Sequence, residues 1–316
     1  MEALKVQNLT ISFDSKNAVD DISIDLSVGE IVGLVGESGC GKSLTAFSIL
    51  GISPPNSTLR GKVIYKGEDI LSLDEESKRK IRGNKISLIT QDPLSALNPV
   101  FTIGEQIGEV LEVHKNLSHE EVLVCSKKAL ETVNVPNPNQ RLKDYPHQFS
   151  GGMRQRALIA MALVTEPDIL IADEPTTALD VTIQLQILEI MKDLKKKNKA
   201  ILLITHDLGV VSEVCDRVYV MYLGKIVESG ATIDVFNNPK HPYTIGLLNS
   251  LPSVDKKSLT SIPGQPPTIN SIPSGCAFHT RCSFVFDRCK KEIPDLYDVK
   301  ETTSHYSRCF LEVDRI

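Results

Sequence analysis

Apolar and polar residues alternate at period two through Ile22-Ser23-Ile24-Asp25-Leu26, and Leu9, Ile11 and Phe13 mark one face of an earlier segment. Ile31-Val32-Gly33-Leu34-Val35 and Lys62-Val63-Ile64-Tyr65 follow as short runs bounded by Gly or Asp. This pattern predicts strands over the first sixty-odd residues. Between about 102 and 134 the period lengthens: Ile103, Ile107, Val110, Leu111 and then Val122, Leu123, Ala129, Leu130, Val133 suit amphipathic helices. A helix from Gly152 to Thr165 leads into Ile169-Leu170-Ile171-Ala172-Asp173, an apolar strand that ends in acid. Ile183, Ile187, Ile190, Met191 and Leu194 form another helical stripe, and Ile201-Leu202-Leu203-Ile204 returns as a buried strand. Strand, helix, strand in this order predicts an α/β fold with a parallel sheet.

Residues 36–43 read Gly-Glu-Ser-Gly-Cys-Gly-Lys-Ser, and the run Ile31 to Val35 feeds them from a strand. A G-x-x-x-x-G-K-[ST] loop between a strand and a helix is a nucleotide site. Its backbone N–H groups, from Gly36, Glu37, Ser38, Gly39, Cys40 and Gly41 through to Leu44, form a phosphate cradle at a helix N-terminus. Lys42 reaches the β/γ-phosphates, and Ser43 ligates Mg²⁺. The bland alternative, a glycine-rich turn, weakens once a second half-site is found downstream. Cys40 sits beside Lys42 and a helix N-terminus, surroundings expected to lower a thiol pKa and make alkylation there ATP-sensitive.

Asp173-Glu174 closes the strand 130 residues after the loop. In a phosphate-loop ATPase such an acid holds Mg²⁺, and the adjacent carboxylate polarises the attacking water, so Asp173 is the metal-side acid and Glu174 the candidate base. Taken alone, the pair could equally cap a helix. Ser150-Gly151-Gly152 opens a helix and offers a second anion-binding terminus. One nucleotide does not need two cradles on one chain. The arrangement makes sense if the second closes over the ATP of another subunit in a head-to-tail sandwich.

The chain is long enough for one large α/β domain and an appendage, and its 41% hydrophobic and 24% charged residues are ordinary globular composition. A net charge of −5 gives no electrostatic case for nucleic acid. The dense basic run Lys195-Lys196-Lys197 reads as a helix C-terminus. The start of the chain lacks a signal-peptide pattern, and no apolar run approaches the ~20 residues that span a bilayer, so a cytosolic location is expected. After His241 the texture changes, with Pro252, Pro263, Pro266, Pro267 and Pro273 marking an extended linker.

Taken together, Phe149-Ser150-Gly151-Gly152-Met153, the phosphate loop and Asp173-Glu174 give a chain that resembles the ATP-binding-cassette (ABC) transporter ATPases over about residues 1–250. The resemblance implies a phosphate-loop NTPase fold with a mixed β-sheet core and a helical subdomain at about 93–165. It matches Gln91, in Thr90-Gln91-Asp92-Pro93, to a glutamine that senses Mg²⁺ and the attacking water and signals to membrane subunits. It matches Asp180, in Ala178-Leu179-Asp180, to an acid that works across the dimer interface, and His206, in Thr205-His206-Asp207, to a γ-phosphate contact. Phe13 is the available adenine-stacking ring, although it could equally be core. The Phe149 and Met153 ends of the signature, with Gln91 to Pro99, resemble the oligopeptide, dipeptide and nickel importer subfamily. So do His241-Pro242-Tyr243-Thr244, Ile262 to Pro267 and Gly275-Cys276 to Arg281-Cys282, which extends the resemblance through the segment 251–316.

Membership implies ATP and Mg²⁺ as cofactors, a paralogous ATPase as partner in a heterodimer, two transmembrane permease subunits and an extracellular solute-binding protein. It implies a peripheral position on the cytoplasmic membrane face and uptake of peptides, with nickel or another solute as the alternative. A soluble ABC ATPase acting on nucleic acid or ribosomes is the competing class, but it typically carries two cassettes or a long coiled-coil insertion.

Cys276, Cys282, Cys289 and Cys309 cluster near the end of the chain with irregular spacing. Disulfides are not expected in a reducing compartment. The spacing lacks the tight pairs of zinc sites and suits a [4Fe–4S] cluster, to which the subfamily resemblance also points. Zinc, with His279 or His305 substituting, and unliganded thiols remain the alternatives. A tail of about fifty residues buries little apolar surface, so a metal staple is reasonable, and its loss is expected to affect stability more than ATP affinity.

Overall fold

The computed structural model describes residues 1–177, 179–251, 262–299 and 304–312; Ala178 and Pro252 lie outside them. In chain order the strands are β1 (Glu2–Phe13), β2 (Lys16–Ser27), β3 (Ile31–Val35), β4 (Ser57–Tyr65), β5 (Glu68–Asp69), β6 (Ile86–Ile89), β7 (Ile169–Asp173), β8 (Ala200–Thr205), β9 (Arg217–Tyr222), β10 (Lys225–Ala231), β11 (Tyr297–Asp298) and β12 (Tyr306–Ser307). The helices are α1 (Lys42–Ile49), α2 (Glu75–Ile81), α3 (Pro93–Ala96), α4 (Ile103–His114), α5 (His119–Thr132), α6 (Pro138–Arg141), α7 (Gly151–Leu163), α8 (Val181–Lys196), α9 (Leu208–Val214), α10 (Thr232–Asn237), α11 (Pro242–Asn249) and α12 (Asp287–Lys291). The class is α/β, as the alternation of strands and helices predicts.

Two compact units divide the chain. One comprises Met1–Ala3, Ser27–Glu30 and Ser72–Leu203. Here β6 and β7 pair in parallel, Ile86 opposite Ile169 and Ile89 opposite Ala172. All five residues of β7 are buried, which explains its unbroken apolar sequence. The helices from Pro93 to Leu163 take their boundaries from local chemistry. Thr102 with Glu105 and Ser118 with Glu121 form capping boxes at the starts of α4 and α5. Lys195 and Lys196 occupy the last turn of α8, the dipole-complementing position expected of that basic run.

The second unit comprises Leu4–Leu26, Ile31–Leu71 and Ile204–Ile316. One antiparallel sheet has the order β2-β1-β4-β5. Its buried positions, Leu4 and Val6, then Leu9 and Ile11 across a register shift, and Ile22, Ile24 and Leu26 in β2, follow the period-two pattern of strands. In a mixed sheet β3 runs parallel to β9, while β9 with β10, β10 with β12 and β12 with β11 are antiparallel. The cysteine-bearing extension is therefore built into this sheet. Ser307 lies opposite Glu228, and the Arg308 guanidinium donates to the carbonyls of Ile226 and Pro294.

The extension is also anchored through a buried polar knot. Glu228 is 0% exposed and takes hydrogen bonds from the backbone N–H groups of Lys240 and His241, while His305 Nε2 lies 2.8 Å from its carboxylate. His305 Nε2 is engaged with Glu228, and His305 is not among the residues that line the cysteine cavity. No helix among the described residues is long and apolar enough to cross a membrane.

Candidate nucleotide site

β3 ends at Val35, and the chain turns through Gly36 to Gly41 before α1 begins at Lys42. Gly41 caps the helix at φ 110°, a left-handed backbone closed to ordinary side chains. At Gly36 a Cβ would come 2.2 Å from the carbonyl oxygen of Met221, so β9 pins the start of the loop at van der Waals range. The Lys42 ammonium is buried and donates to the carbonyls of Gly36 and Glu37 at 2.8 and 3.1 Å, curling the loop around itself. Ser38 and Gly39 are exposed, while Ser43 and Leu44 are half-buried.

Cys40 departs from the sequence expectation. Its side chain is 4% exposed, and burial raises the thiol pKa despite Lys42 nearby. Desolvation outweighs the cation, which disfavours the reactive thiolate.

A cavity of about 280 Å³ adjoins the loop, lined by Ala18, Gly39, Cys40, Leu44, Tyr222 and Pro266 among others. Phe13 is half-buried near the end of β1 and is not among its lining residues.

In the other unit, Asp173 ends β7 with 4% exposure. Glu174 follows with φ 47°, a left-handed conformation that is costly for a residue with a Cβ and is often retained at working sites. Its Oε2 accepts from Gln91 Nε2 at 2.9 Å and from Thr177 Oγ1 at 2.9 Å. Two candidates from distant parts of the sequence thus meet, and Thr177, which sequence reasoning missed, completes the cradle. A carboxylate oriented by an amide and a hydroxyl is suited to aligning a water.

Ser150 caps α7, accepting from the N–H of Met153, with Ser150 and Gly151 exposed and Phe149 buried. An exposed, Gly-rich helix start offers N–H groups to an anion. Asp180 caps α8 by accepting from the N–H of Ile183, the structural role an acid at that position commonly has. His206 is exposed at the end of β8, and Asp207 next to it caps α9.

The extension, expected from the sequence to bear on stability more than on ATP affinity, reaches the phosphate loop. Arg281 forms a bidentate pair with Glu37 of the phosphate loop, at 2.6 and 3.0 Å, and the Glu37 N–H donates to the Tyr243 hydroxyl at 2.8 Å. Tyr222, Tyr243 and Phe278 pack ring against ring behind this pair. No local motif announces such a pairing, because its partners stand 244 positions apart.

Cys276, Cys282, Cys289 and Cys309 line one small cavity with Phe278, Phe284, Phe286 and Phe310. Burial pushes the Cys276 thiol up to about 11 and Cys309 up to about 12, with the neighbouring sulfurs adding to it. The Phe284 N–H points at Cys282 Sγ, 3.3 Å away. Among the described residues, no group of three or more His, Cys, Asp or Glu side chains is placed to hold a metal ion.

Comparison with known proteins supplies the frame for this geometry. Residues 19–177 match the family described as ABC transporter, and residues 227–289 match the oligopeptide/dipeptide transporter C-terminal region. The dipeptide transport ATP-binding protein DppD of Bacillus subtilis is 49% identical, with 99% of this chain and 96% of the relative covered. The oligopeptide transport ATP-binding protein OppD of Escherichia coli is 46% identical, with coverage of 99% and 94%. Among solved structures, the dimeric ATP-binding cassette MJ0796 in a post-hydrolysis state bound to ADP and Pi superposes with a TM-score of 0.66 at 27% identity, covering 72% of this chain and 98% of that one.

Proposed function

The chain belongs to the ABC transporter family, and from that membership we propose that it is the ATP-hydrolysing subunit of an importer for peptides. The observation that carries the solute class is the pairing of a complete cassette with an oligopeptide/dipeptide-type C-terminal region in one chain, shared over nearly the whole length with peptide-transport relatives.

Each site residue then has a proposed task. The cradle Gly36 to Gly41, with Lys42 and Leu44, binds the ATP phosphates, and Phe13 stacks on the base. Ser43, Gln91 and Asp173 are hard oxygen donors of the kind Mg²⁺ selects, and bound Mg²⁺ would neutralise charge on the transferred phosphoryl group. Glu174 orients and deprotonates the attacking water, and His206 contacts the γ-phosphate. Ser150, Gly151, Gly152 and Asp180 complete the site of an opposing subunit, which we take to be a paralogous ATPase. The cassette occupies 1–250, with its helical part at 93–165, and the extension 251–316.

The partners are carried over from the peptide-transport relatives, and exposed apolar residues are compatible with them. Leu94, Val100 and Phe101 are 63%, 71% and 48% exposed on the segment that follows Gln91. Exposed apolar side chains mark interaction surfaces, and on this reading they dock to two permease subunits at the cytoplasmic membrane face. An extracellular binding protein would deliver solute to them.

For the extension we propose a [4Fe–4S] cluster held by Cys276, Cys282, Cys289 and Cys309. Convergence of the four sulfurs on one aromatic-walled cavity supports it. Cluster thiolates each bind a different iron, and zinc remains the alternative ion.

Uptake of labelled di- and oligopeptides by cells lacking the chain tests the proposal. Wild type restores uptake and Lys42→Ala does not. Peptide uptake that is unaffected by loss of the chain, with nickel uptake lost instead, overturns the peptide assignment.

A further inference from the structure

We propose that Arg281 is a positioning residue of the nucleotide site: through Glu37, the C-terminal extension holds the phosphate loop in its binding shape. The inference rests on the phosphate-loop reading above and adds to it a part outside the cassette motifs.

The geometry carries it. The Arg281 side chain is 4% exposed. Nη1 and Nη2 grip the two oxygens of Glu37, Nε donates to the Pro263 carbonyl at 2.9 Å, and Nη2 also reaches the Gly264 carbonyl at 3.3 Å. A planar guanidinium bound at three sides has little rotational freedom, and a carboxylate held bidentately inherits that order. Glu37 lies between Gly36 and Ser38, so fixing its side chain fixes the entry to the cradle. Tyr243 fixes the same residue a second time, through its backbone N–H. That N–H is consequently turned towards Tyr243, which orients the peptide plane between Gly36 and Glu37.

The same turn carries the cysteines. The Arg281 N–H donates to the Phe278 carbonyl and the Cys282 N–H to that of His279, so Cys276 to Cys282 is one folded loop with Arg281 on it. Pro266, Pro267, Thr268 and Ile269, just beyond Pro263 and Gly264, line the cavity beside the phosphate loop. Arg281 therefore ties the cysteine loop, the proline strap and the cradle together at one point. A Lys in its place keeps the charge and loses the fork.

Equilibrium binding of Mg-ATP to the full-length chain, with thermal melting of each variant, tests the proposal. Arg281→Met is expected to raise the Kd about tenfold, on the order of one hydrogen bond to a charged group. Arg281→Lys recovers only part of it. In a Glu37→Gln background the Arg281→Met change adds little, because the fork no longer has its ionic partner. Arg308→Met, which loosens the extension at β10 without touching the clamp, lowers the melting temperature and leaves the Kd unchanged at temperatures well below the melt. Equal Kd values for wild type, Arg281→Met and Arg281→Lys overturn the inference, as does a Kd for Arg308→Met raised as much as that of Arg281→Met. Should Arg281→Met not fold, Arg281→Lys and Glu37→Gln carry the comparison. Wild-type protein that binds no Mg-ATP defeats the phosphate-loop reading itself, and the inference with it.

Discussion

Gln91 donates its side-chain amide to the Glu174 carboxylate at 2.9 Å, joining positions 83 residues apart. Glu174 is held on a left-handed backbone, with Thr177 as a second donor. Gln91 orients the base, so Gln91→Ala should lower kcat about tenfold, beyond any weakening of Mg-ATP binding from loss of a proposed Mg²⁺ donor. Steady-state ATPase assays beside equilibrium binding separate the two. Loss confined to affinity would contradict the orienting role.

Cys40 should be unreactive in the native protein. Buried at 4% exposure, with its thiol pKa raised by desolvation, it offers neither thiolate nor access. Timed alkylation read by mass spectrometry should label half-buried Cys125 first and Cys40 only on unfolding, with or without ATP. Fast, ATP-protected labelling of Cys40 would restore the reactive-thiol expectation.

His241 predicts an acid-side loss of stability. Burial lowers its pKa to about 4, with Arg308 adding to the effect and Glu228 opposing it, and its Nδ1 accepts the Tyr243 N–H. The unfolded chain binds the proton near the ordinary 6.5, before the folded one does, so stability is complete above that pH and falls as pH drops from 6.5 towards 4. Full loss amounts to roughly 3 kcal/mol. Urea midpoints across this window should fall for wild type and flatten for His241→Asn, which keeps an acceptor but does not titrate. A slope unchanged by the substitution would assign the effect elsewhere.

The cysteine extension should carry iron. Protein prepared without oxygen is expected to be brown, with iron and acid-labile sulfide at about four each per chain, and to bleach on Cys→Ser exchange at 276, 282, 289 or 309. Because burial holds the Cys276 and Cys309 thiols well above neutrality, loading must release protons and weaken at low pH. Colourless protein with four titrating thiols would remove the cluster.

The cassette was legible because its chemistry is local. Gly36 to Ser43, Ser150 to Gly152 and Asp173-Glu174 are contiguous, and a strand ahead of the loop or a helix behind it is visible as periodicity. Burial is not local, which is why proximity of Cys40 to Lys42 suggested a reactive thiol where the fold disfavours one. The ties of Glu37 to Arg281 and Tyr243 were illegible for a related reason. They depend on β10 accepting β12 as a neighbour and on rings from three segments packing together. Two-residue strands such as β11 and β12 leave no periodic trace. Thr177 was passed over because a threonine after an acidic pair carries no distinctive pattern.

The central claim is ATP hydrolysis with Glu174 as base, and steady-state Mg-ATPase of the assembled transporter, wild type against Glu174→Gln, tests it most directly. Turnover should fall at least ~100-fold in the variant with nucleotide still bound, trapped as ATP in a closed pair of ATPase subunits. Wild-type turnover in Glu174→Gln would contradict it.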